Sequence, residues 1–190
     1  LIVNNERLRV VHVRKEGGKV YHVLESGAEK LRVGMKVKGI IDWERRYRIM
    51  RLHTAAHILS ALFYSEVGAK ITGNAIRENR AHIDFSLEKT DRELFQRMVD
   101  KANQLIQEGR RVKIYYMERE KVLQIPGMIK LAGRLPPNIP ILRIVEIEGI
   151  DTQPDGGPHV ADIKEIGKIE ILKIENKGRG RRRLHYKVVP

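Results

Sequence analysis

Apolar and polar positions follow two different periods along this chain, and the change of period falls near residue 42. Before that point, short β-rich runs alternate with turn segments that contain glycine. The runs read RLRVVHVRK, KVYHVLE and KVKGIID. This spacing is typical of a small antiparallel barrel or sandwich, so we predict a partial small β-barrel domain over residues 1–42.

Beyond residue 42 the apolar positions take up the period of a helix. Helix-forming residues fill the next segment and a glycine follows it, so we predict a helix over Trp43–Val67. The amphipathic stretch TDRELFQRMVDKANQLIQEG predicts a second helix, which begins after an N-cap at Thr90 or Asp91 and ends at Gly109.

Strand-like alternation returns between and after these helices. AKITGNAIRE and RAHIDFSLE predict one hairpin, RRVKIYYM and ILRIVEIEGI predict single strands, and KIEILKIENKGRGRRRLHYKVV predicts a terminal hairpin. EREKVLQI predicts a short helix that stops before a proline, and DTQPDGGPHVADIKEIG is interpreted as a loop. The fold class predicted is α+β, with residues 43–190 forming a domain of helices on an antiparallel sheet.

Charge gives the first indication of function. The 190 residues include 37 Lys and Arg against 24 Asp and Glu, a formal net charge of +13, which points to a polyanion such as nucleic acid. Aromatic residues make up only 5% of the chain, which disfavours a base-stacking platform for single strands. The acid-free run NKGRGRRRLHYK predicts RNA-binding contacts to phosphate from Lys177, Arg179, Arg181, Arg182 and Arg183.

Cysteine is absent, which excludes a disulfide scaffold and every thiolate metal site. We therefore expect a cytoplasmic protein. Nothing approaches 18 consecutive apolar residues, so we expect no membrane association. The first residue is not methionine, and we expect the natural chain to begin upstream of it.

Two histidines stand four residues apart within RLHTAAHIL, inside the predicted long helix. Residues i and i+4 of a helix lie one turn apart on the same face, so His53 and His57 project together. Two imidazoles placed in this way can bind one cation, most often zinc. Core histidines bonded to backbone groups would give the same spacing, and the pair alone leaves both interpretations open.

A second pair with this spacing, Asp155 and His159, lies in the segment DTQPDGGPHV. The intervening Gly156 and Gly157 permit positive φ and close backbone approach, which suits a loop folded around an ion. These residues would also suit a surface turn. Three imidazoles and one carboxylate fit zinc with an open or labile position for water, so we predict a Zn²⁺ cofactor. The predicted metal ligands are His53, His57, His159 and Asp155.

The motifs HTAAH, TGNAIRENRAHIDF and DGGPHVADIKEIGKIEILKIENKG resemble those of a known family. They are similar to the editing domain of alanyl-tRNA synthetases and to its free-standing relatives, the AlaX trans-editing proteins. That family joins H-x-x-x-H to a C-x-x-x-H within CGGTHV later in the chain. The resemblance runs from about Asp42 to Val189, and the strand-rich start looks like the end of the small barrel of medium-length members.

The resemblance implies a trans-editing hydrolase that cleaves the ester between a wrong amino acid and tRNA(Ala). Medium-length members act mainly on Ser-tRNA(Ala), and some also act on Gly-tRNA(Ala), a choice that this sequence leaves open. Zinc would supply polarisation of the ester carbonyl. Thr54, beside His53, is then a candidate catalytic residue that contacts the serine hydroxyl, or else a threonine on the helix surface.

Two positions depart from the family's pattern. Asp155 stands where the family has its cysteine ligand, and Pro158 stands where it has a threonine before the last histidine. A carboxylate also binds zinc, so Asp155 either coordinates directly or acts through a water. We predict the second arrangement, because it leaves a coordination position for the hydrolysis.

Two other functions would also involve a metal site. A zinc peptidase of the H-E-x-x-H type is excluded, because Thr54 follows the first histidine and no glutamate lies between the pair. A non-catalytic RNA-binding module with a structural metal is the alternative. Structural zinc is usually closed by four protein ligands that include cysteine, so the lack of cysteine favours a catalytic site.

Overall fold

The protein divides into two compact units in a computed structural model that describes residues 1–133 and 135–190. The units are Leu1–Trp43 and Glu44–Pro190. The described residues form a mixed α and β structure with several small antiparallel sheets and three α-helices. None of these helices combines the length and the apolar character needed to cross a bilayer.

The first unit consists of two antiparallel pairs of strands. Its strands are β1 (Ile2–Val3), β2 (Glu6–Arg7), β3 (Val10–Glu16) and β4 (Lys19–Leu24). β1 pairs with β2 and β3 pairs with β4 as separate two-stranded sheets, so no closed barrel forms among the described residues of this unit.

The strand predicted for KVKGIID is wrong. In that segment only Lys38 pairs, in an isolated bridge with Ile2. Every residue from 36 to 42 is exposed, and apart from that bridge the segment has no strand partner among the described residues.

Two helices pack on a four-stranded antiparallel sheet in the second unit. Helix α1 covers Trp43–Val67 and α2 covers Arg92–Glu108, both as predicted. Asp91 caps α2, because its carboxylate accepts a hydrogen bond from the Leu94 N–H at 2.9 Å. The sheet order is β10-β11-β6-β5, with β5 at Ile71–Ile76, β6 at Ala81–Ser86, β10 at Lys168–Asn176 and β11 at Arg181–Val189.

A smaller antiparallel sheet has the order β7-β8-β9. Its strands are β7 (Val112–Glu118), β8 (Ile141–Ile147) and β9 (Asp151–Pro154), and the short helix α3 (Arg119–Gln124) follows β7. β9 falls in the segment predicted to be a loop, and so does a 3₁₀ helix at Ile163–Ile166. The loop prediction is therefore wrong at both places. The sequence does not reveal β9, because this strand is short and carries two polar residues on its buried face.

Aromatic packing fixes the position of α1 on the sheet. The Phe63 ring of α1 stacks on Phe85 of β6 at 4.1 Å between centroids, and Phe95 of α2 approaches Phe63 at 4.9 Å. The buried Tyr186 hydroxyl of β11 donates to the Leu52 carbonyl oxygen at 2.9 Å. Each fully buried ring contributes about 1.5–3 kcal/mol. These contacts set the rotation of α1 and thus the face on which residues 53 and 57 project.

Candidate metal centre

Helix α1 and the loop after β9 bring four side chains together. His53 and His57 come from successive turns of α1, and Asp155 and His159 come from the loop. One nitrogen or oxygen atom from each side chain lies within 4.8 Å of the corresponding atoms of the other three. The two residue pairs singled out in the sequence thus form a single cluster.

The Asp155 carboxylate reaches all three imidazoles. Its oxygens lie 3.4 Å from His53 Nε2, 3.8 Å from His57 Nε2 and 3.4 Å from His159 Nε2. Ligand atoms placed about 2.0–2.2 Å from a tetrahedral zinc lie about 3.3–3.6 Å from one another. The spacing and the chemistry of these four groups therefore fit one zinc ion.

Two of the histidines make hydrogen bonds through Nδ1, on the side of the ring away from the cluster. His53 Nδ1 lies 3.3 Å from the Pro158 carbonyl oxygen, and His57 Nδ1 lies 2.9 Å from Asp151 Oδ2. Both of these partners are acceptors, so Nδ1 carries a proton and donates it, and Nε2 faces the cluster. Gln153 Nε2 also lies 3.0 Å from His57 Nδ1, but it donates its hydrogen bond to Asp151 Oδ2 at 2.8 Å. This is the arrangement in which a protein orients an imidazole as a metal ligand.

Thr54 holds the third histidine. Its hydroxyl donates to the Met50 carbonyl oxygen at 3.0 Å and accepts from the Val160 N–H at 3.3 Å and from His159 Nδ1 at 3.1 Å. One donor and two acceptor positions are thereby filled, which is the full capacity of a hydroxyl. Thr54 is completely buried, so its placement on the helix surface is wrong.

A buried polar group lies behind His57, and the sequence analysis missed it. Asp151, whose side chain is fully buried, accepts from Gln153 Nε2 at 2.8 Å and forms an ion pair with Lys130 Nζ at 2.6 Å. Lys130 is itself only 7% exposed. The signal available in the sequence was the spacing of Asp151 and Gln153, two polar residues on one face of a strand.

The protonation of the cluster follows from these contacts. Burial would lower the pKa of His57, but hydrogen bonds to the Asp151 and Asp155 carboxylates outweigh it and raise the pKa to about 9. Burial lowers the pKa of His159 to about 4. Burial would raise the pKa of Asp155, but hydrogen bonds to His159 and the other two imidazoles hold it well below its usual range. These contacts stabilise a cation between the Asp151 and Asp155 carboxylates, either the proton of His57 or a metal ion, and a metal bound by Nε2 would displace that proton.

Backbone contacts shape the loop that carries Asp155. A Cβ atom on Gly157 would lie 2.6 Å from His53 Nδ1, so the loop can cross this ring only with glycine there. The close backbone approach expected of these glycines is therefore found at Gly157, whereas Gly156 has no comparable neighbour and neither glycine adopts a positive φ. Arg143 Nη1 donates to the carbonyl oxygens of Asp155 at 2.7 Å and Gly157 at 3.0 Å.

The cluster is open on one side. The side chains of His57 and His159 are 5% and 0% exposed, whereas those of His53 and Asp155 are 17% and 24% exposed. A molecule approaching from solvent would therefore meet His53 and Asp155 first.

The basic residues of the β10–β11 hairpin do not form one exposed patch. Lys177, Arg179 and Arg181 are exposed at its turn. Arg182 is buried and donates to the Asn176 side chain at 3.0 Å and to the Gly178 carbonyl at 2.9 Å.

Arg183, the last of the five residues predicted to bind RNA, is occupied within the sheet. Its Nε and Nη2 atoms donate to the two oxygens of Asp84 at 2.6 and 2.9 Å. Arg182 and Arg183 thus stabilise the sheet, and their placement does not suit contacts to phosphate.

Comparison with known proteins gives the class of this domain. Residues 142–185, from β8 into β11, match the family described as the threonyl and alanyl tRNA synthetase second additional domain. An alanine–tRNA ligase of Thermoplasma acidophilum is 32% identical over 90% of this chain, which corresponds to 19% of the ligase. The cluster therefore lies in a domain of the kind that alanyl-tRNA synthetases contain.

Shorter relatives match almost the whole chain. The alanyl-tRNA editing protein AlaX-M of Saccharolobus solfataricus is 50% identical over 97% of this chain and 78% of its own length. AlaX-M of Methanosarcina mazei is 40% identical over 95% of this chain and 74% of its own length. The chain belongs to the AlaX-M family of alanyl-tRNA editing proteins.

Proposed function

We propose that this protein is a zinc-dependent aminoacyl-tRNA deacylase that edits mischarged tRNA(Ala) in trans. Its main substrate is Ser-tRNA(Ala), and Gly-tRNA(Ala) is a second substrate. The observation that carries the proposal is the convergence of three Nε2 atoms and one carboxylate on a single open cluster. The names of its relatives agree, since they are called alanyl-tRNA editing proteins.

All four cluster residues would hold the zinc ion. The contacts of 3.4, 3.8 and 3.4 Å between Asp155 and the imidazoles support direct coordination by the carboxylate, in place of the water-mediated contact predicted from the sequence. Asp155→Ala should therefore reduce zinc affinity far more than the 10–100-fold expected for a residue that only supports a ligand. Asp155→Cys, which restores a ligand atom, should recover zinc binding. Zinc affinity that falls only 10–100-fold in Asp155→Ala would instead support the water-mediated arrangement.

The more exposed and the more buried residues of the cluster have different roles in the proposed reaction. A bound zinc ion supplies Lewis-acid polarisation of the ester carbonyl. The more exposed His53 and Asp155 form the side at which the aminoacyl ester approaches, and the buried His57 and His159 anchor the cluster from below. Arg143 keeps the Asp155 loop in place during this approach.

Thr54 serves as a positioning residue in this proposal. Its hydroxyl has no hydrogen-bonding capacity left for the serine hydroxyl of a substrate, because Met50, Val160 and His159 use all of it. Its contact with His159 Nδ1 supports the orientation in which Nε2 faces the cluster. Discrimination against alanine then depends on polar groups other than Thr54.

The tRNA is held through phosphate contacts, as the net charge of +13 suggests. Lys177, Arg179 and Arg181 are the candidates, because they are exposed at the hairpin turn. We assign editing to residues 43–190 and treat residues 1–42 as a separate small β domain. A cytoplasmic location fits this function, because the pool of charged tRNA is there.

A non-catalytic RNA-binding module with a structural metal is the alternative. Four protein ligands would suit such a site. The exposure of Asp155 and His53 favours the catalytic function, since a structural ion needs no approach from solvent.

One experiment tests the proposal. The zinc-loaded protein is incubated with seryl-, glycyl- and alanyl-tRNA(Ala), and release of each amino acid is followed. We expect rapid release of serine, slower release of glycine and little release of alanine. Chelation, or His57→Ala, should abolish release while tRNA binding stays within a factor of about two; His82→Ala, a histidine outside the cluster, is the matched control. Full activity in verified zinc-free protein would refute the zinc-dependent mechanism, and tRNA binding without any deacylation would favour the alternative.

A further inference from the structure

Lys130 is a buried cation that the proposed reaction leaves without a role. The residue is only 7% exposed, and its Nζ lies 2.6 Å from Asp151 Oδ1. Its backbone is fixed to β5, because the Ile71 N–H donates to the Lys130 carbonyl oxygen at 2.9 Å and the Ala132 N–H donates to the Ile71 carbonyl oxygen at 2.8 Å. The lysine is therefore held in place next to Asp151 and is not a surface side chain that meets this carboxylate by chance.

The two oxygens of the Asp151 carboxylate have different partners. Oδ2 lies 2.9 Å from His57 Nδ1 and accepts from Gln153 Nε2 at 2.8 Å, whereas Oδ1 faces Lys130. His57 Nε2, on the opposite side of the same ring, belongs to the metal cluster. The charge of Asp151 can therefore act on a bound metal through the His57 ring, and Lys130 acts on Asp151 directly.

The Asp151 carboxylate influences how much electron density His57 gives to a metal. A carboxylate that accepts the Nδ1–H raises the basicity of the imidazole as a ligand. A more basic ligand binds zinc more tightly, but it also neutralises more of the charge of the ion and weakens its action as a Lewis acid. A cation beside the other carboxylate oxygen has the opposite effect, because it attracts part of the negative charge away from His57.

The charge balance of the site gives the same direction. Asp155 brings one negative charge to the cluster, Asp151 brings a second behind His57, and Lys130 compensates the second. Without the lysine, two uncompensated carboxylates would act on one divalent ion. Fold stability alone does not account for the pair, since well-packed apolar side chains often replace a buried ion pair without loss of stability.

We propose that Lys130 is a positioning residue of the metal centre, which acts through Asp151 and His57. Its charge limits the electron donation of His57 and thereby preserves the Lewis acidity that the deacylation uses, with a lower metal affinity as the consequence. This inference rests on the proposed function for the use of that acidity. The effects on His57 and on metal binding are independent of any reaction.

Two substitutions separate the charge of Lys130 from its contact with Asp151. Lys130→Gln removes the charge and keeps an N–H donor, whereas Lys130→Met removes both. Because the proposal concerns the charge, we expect each variant to bind zinc about tenfold more tightly than the wild type in competition with a chelator. Lys130→Gln retains a polar partner for the carboxylate and serves alone if Lys130→Met does not fold. Unchanged or lower zinc affinity in Lys130→Gln would overturn the proposal.

The Nδ1 protons of the three histidines report the effect at the ligands themselves. In the zinc-loaded protein, Lys130→Gln should make Asp151 a stronger acceptor and move the His57 Nδ1 proton downfield in the NMR spectrum. The Nδ1 protons of His53 and His159 have neutral acceptors and should keep their shifts. A His57 proton that stays in place or moves upfield would refute the assignment.

Lys101 provides the matched control. It forms an exposed ion pair at 2.8 Å with Glu66, which lies in the last turn of α1. Lys101→Gln removes the same charge from the protein and should leave the zinc affinity and the His57 proton unchanged. Effects as large as those of Lys130→Gln would show that net charge alone is responsible and would contradict the role of Lys130.

Deacylation at saturating zinc separates this inference from the proposed function. Lys130→Gln should lower kcat for Ser-tRNA(Ala) about 10–100-fold and leave KM unchanged, because Lys130 acts through a ligand and not on the substrate. An active protein whose kcat does not respond to Lys130→Gln retains its proposed function and loses this role of Lys130. A wild-type protein that releases no amino acid loses the proposed function, whereas tighter zinc binding and the downfield His57 proton in Lys130→Gln would still support the electrostatic effect.

Discussion

The three histidines of the cluster make hydrogen bonds through Nδ1 to acceptors of different charge. His53 faces a backbone carbonyl, His159 faces the Thr54 hydroxyl, and His57 faces the Asp151 carboxylate. A carboxylate partner raises the basicity of an imidazole more than a neutral one does. His57 is therefore expected to be the strongest of the three nitrogen donors. Lys130 lies 2.6 Å from Asp151 and compensates the charge of this buried carboxylate.

The Thr54 hydroxyl permits a test at this scale. Thr54→Val keeps the shape of the side chain but leaves His159 Nδ1 and the Val160 N–H without their acceptor. We expect zinc affinity, measured by competition with a chelator, to fall about 10–100-fold. Thr54→Ser retains the hydroxyl and should stay close to the wild type. Unchanged zinc affinity in Thr54→Val, with altered preference between seryl- and glycyl-tRNA, would instead support the direct substrate contact predicted from the sequence.

At the scale of elements, the β10–β11 hairpin separates its basic residues by the alternation of a strand. Arg182 lies on the same face of β11 as the buried Leu184 and Tyr186, so it turns inward. The alternation of buried and exposed positions in β11 is visible in the sequence, but the density of charge in GRGRRR masks it. Of the five residues predicted to bind RNA, the three at the turn, Lys177, Arg179 and Arg181, are exposed.

Salt dependence distinguishes the two groups of basic residues. The logarithm of the affinity for tRNA falls linearly as the logarithm of the salt concentration rises. Changing Lys177, Arg179 and Arg181 together to Gln should reduce the magnitude of this slope by up to about three. Arg182→Gln should leave that slope unchanged and lower the free energy of unfolding. A slope that responds to Arg182 and ignores the turn residues would contradict this assignment.

The pair between Asp84 and Arg183 makes the sheet sensitive to acid. Burial would raise the pKa of Asp84, but the hydrogen bonds and charge of Arg183 outweigh it and hold the pKa below the ordinary 3.8; His82 and Lys177 add to this effect. A depressed pKa means that the unfolded chain takes up the proton more readily, so the pair stabilises the folded state above pH 3.8 and loses this effect as the pH falls through the folded pKa.

Asp84→Asn is expected to lower the free energy of unfolding by about 1.5–3 kcal/mol at pH 7. The difference from the wild type should narrow as the pH falls below 3.8, because the wild-type carboxylate is then protonated as well. Urea denaturation at a series of pH values measures both quantities. A difference that stays constant down to pH 2 would show that the charge of Asp84 does not stabilise the sheet.

Periodicity predicted the long elements and missed the short strand β9. α1 and α2 carry many helical turns and clear stops at Gly68 and Gly109, so their bounds follow from the sequence. β9 has four residues, includes Pro154 and buries polar side chains, so no apolar alternation reveals it. For the same reason, Asp151 and its buried partner Lys130 could not be connected to His57, because their contacts depend on how the two sheets and α1 meet.

At the scale of the whole molecule, the cluster joins segments that are distant in the chain. His159 follows Thr54, its contact on α1, by 105 positions. Two of its residues come from a helix and two from a loop beside a different sheet, so the cluster forms only when the second unit is folded. An ion bound there stabilises the folded state, because the unfolded chain does not bring the four groups together.

Thermal unfolding measures this coupling. Zinc at about 100 times its dissociation constant should stabilise the second unit by about 2.7 kcal/mol and raise its midpoint temperature by about 5–10 °C. Chelation should remove the increase, and His57→Ala should make the midpoint insensitive to zinc. An equal increase with zinc in His57→Ala would place the stabilising ion elsewhere on the protein.

The carboxylate of Asp155 has a further consequence, in the redox chemistry of the site. The motif of the family that this sequence resembles has a cysteine at this position, and a thiolate can be oxidised by peroxide to sulfenic and then sulfinic acid, with loss of the metal. The four groups of this cluster are imidazoles and a carboxylate, which do not enter that series of reactions. The chain contains no cysteine elsewhere that could form a disulfide with a neighbouring molecule. Under the proposed function, deacylation by this protein should therefore survive peroxide treatment that would disable a site with a thiolate ligand.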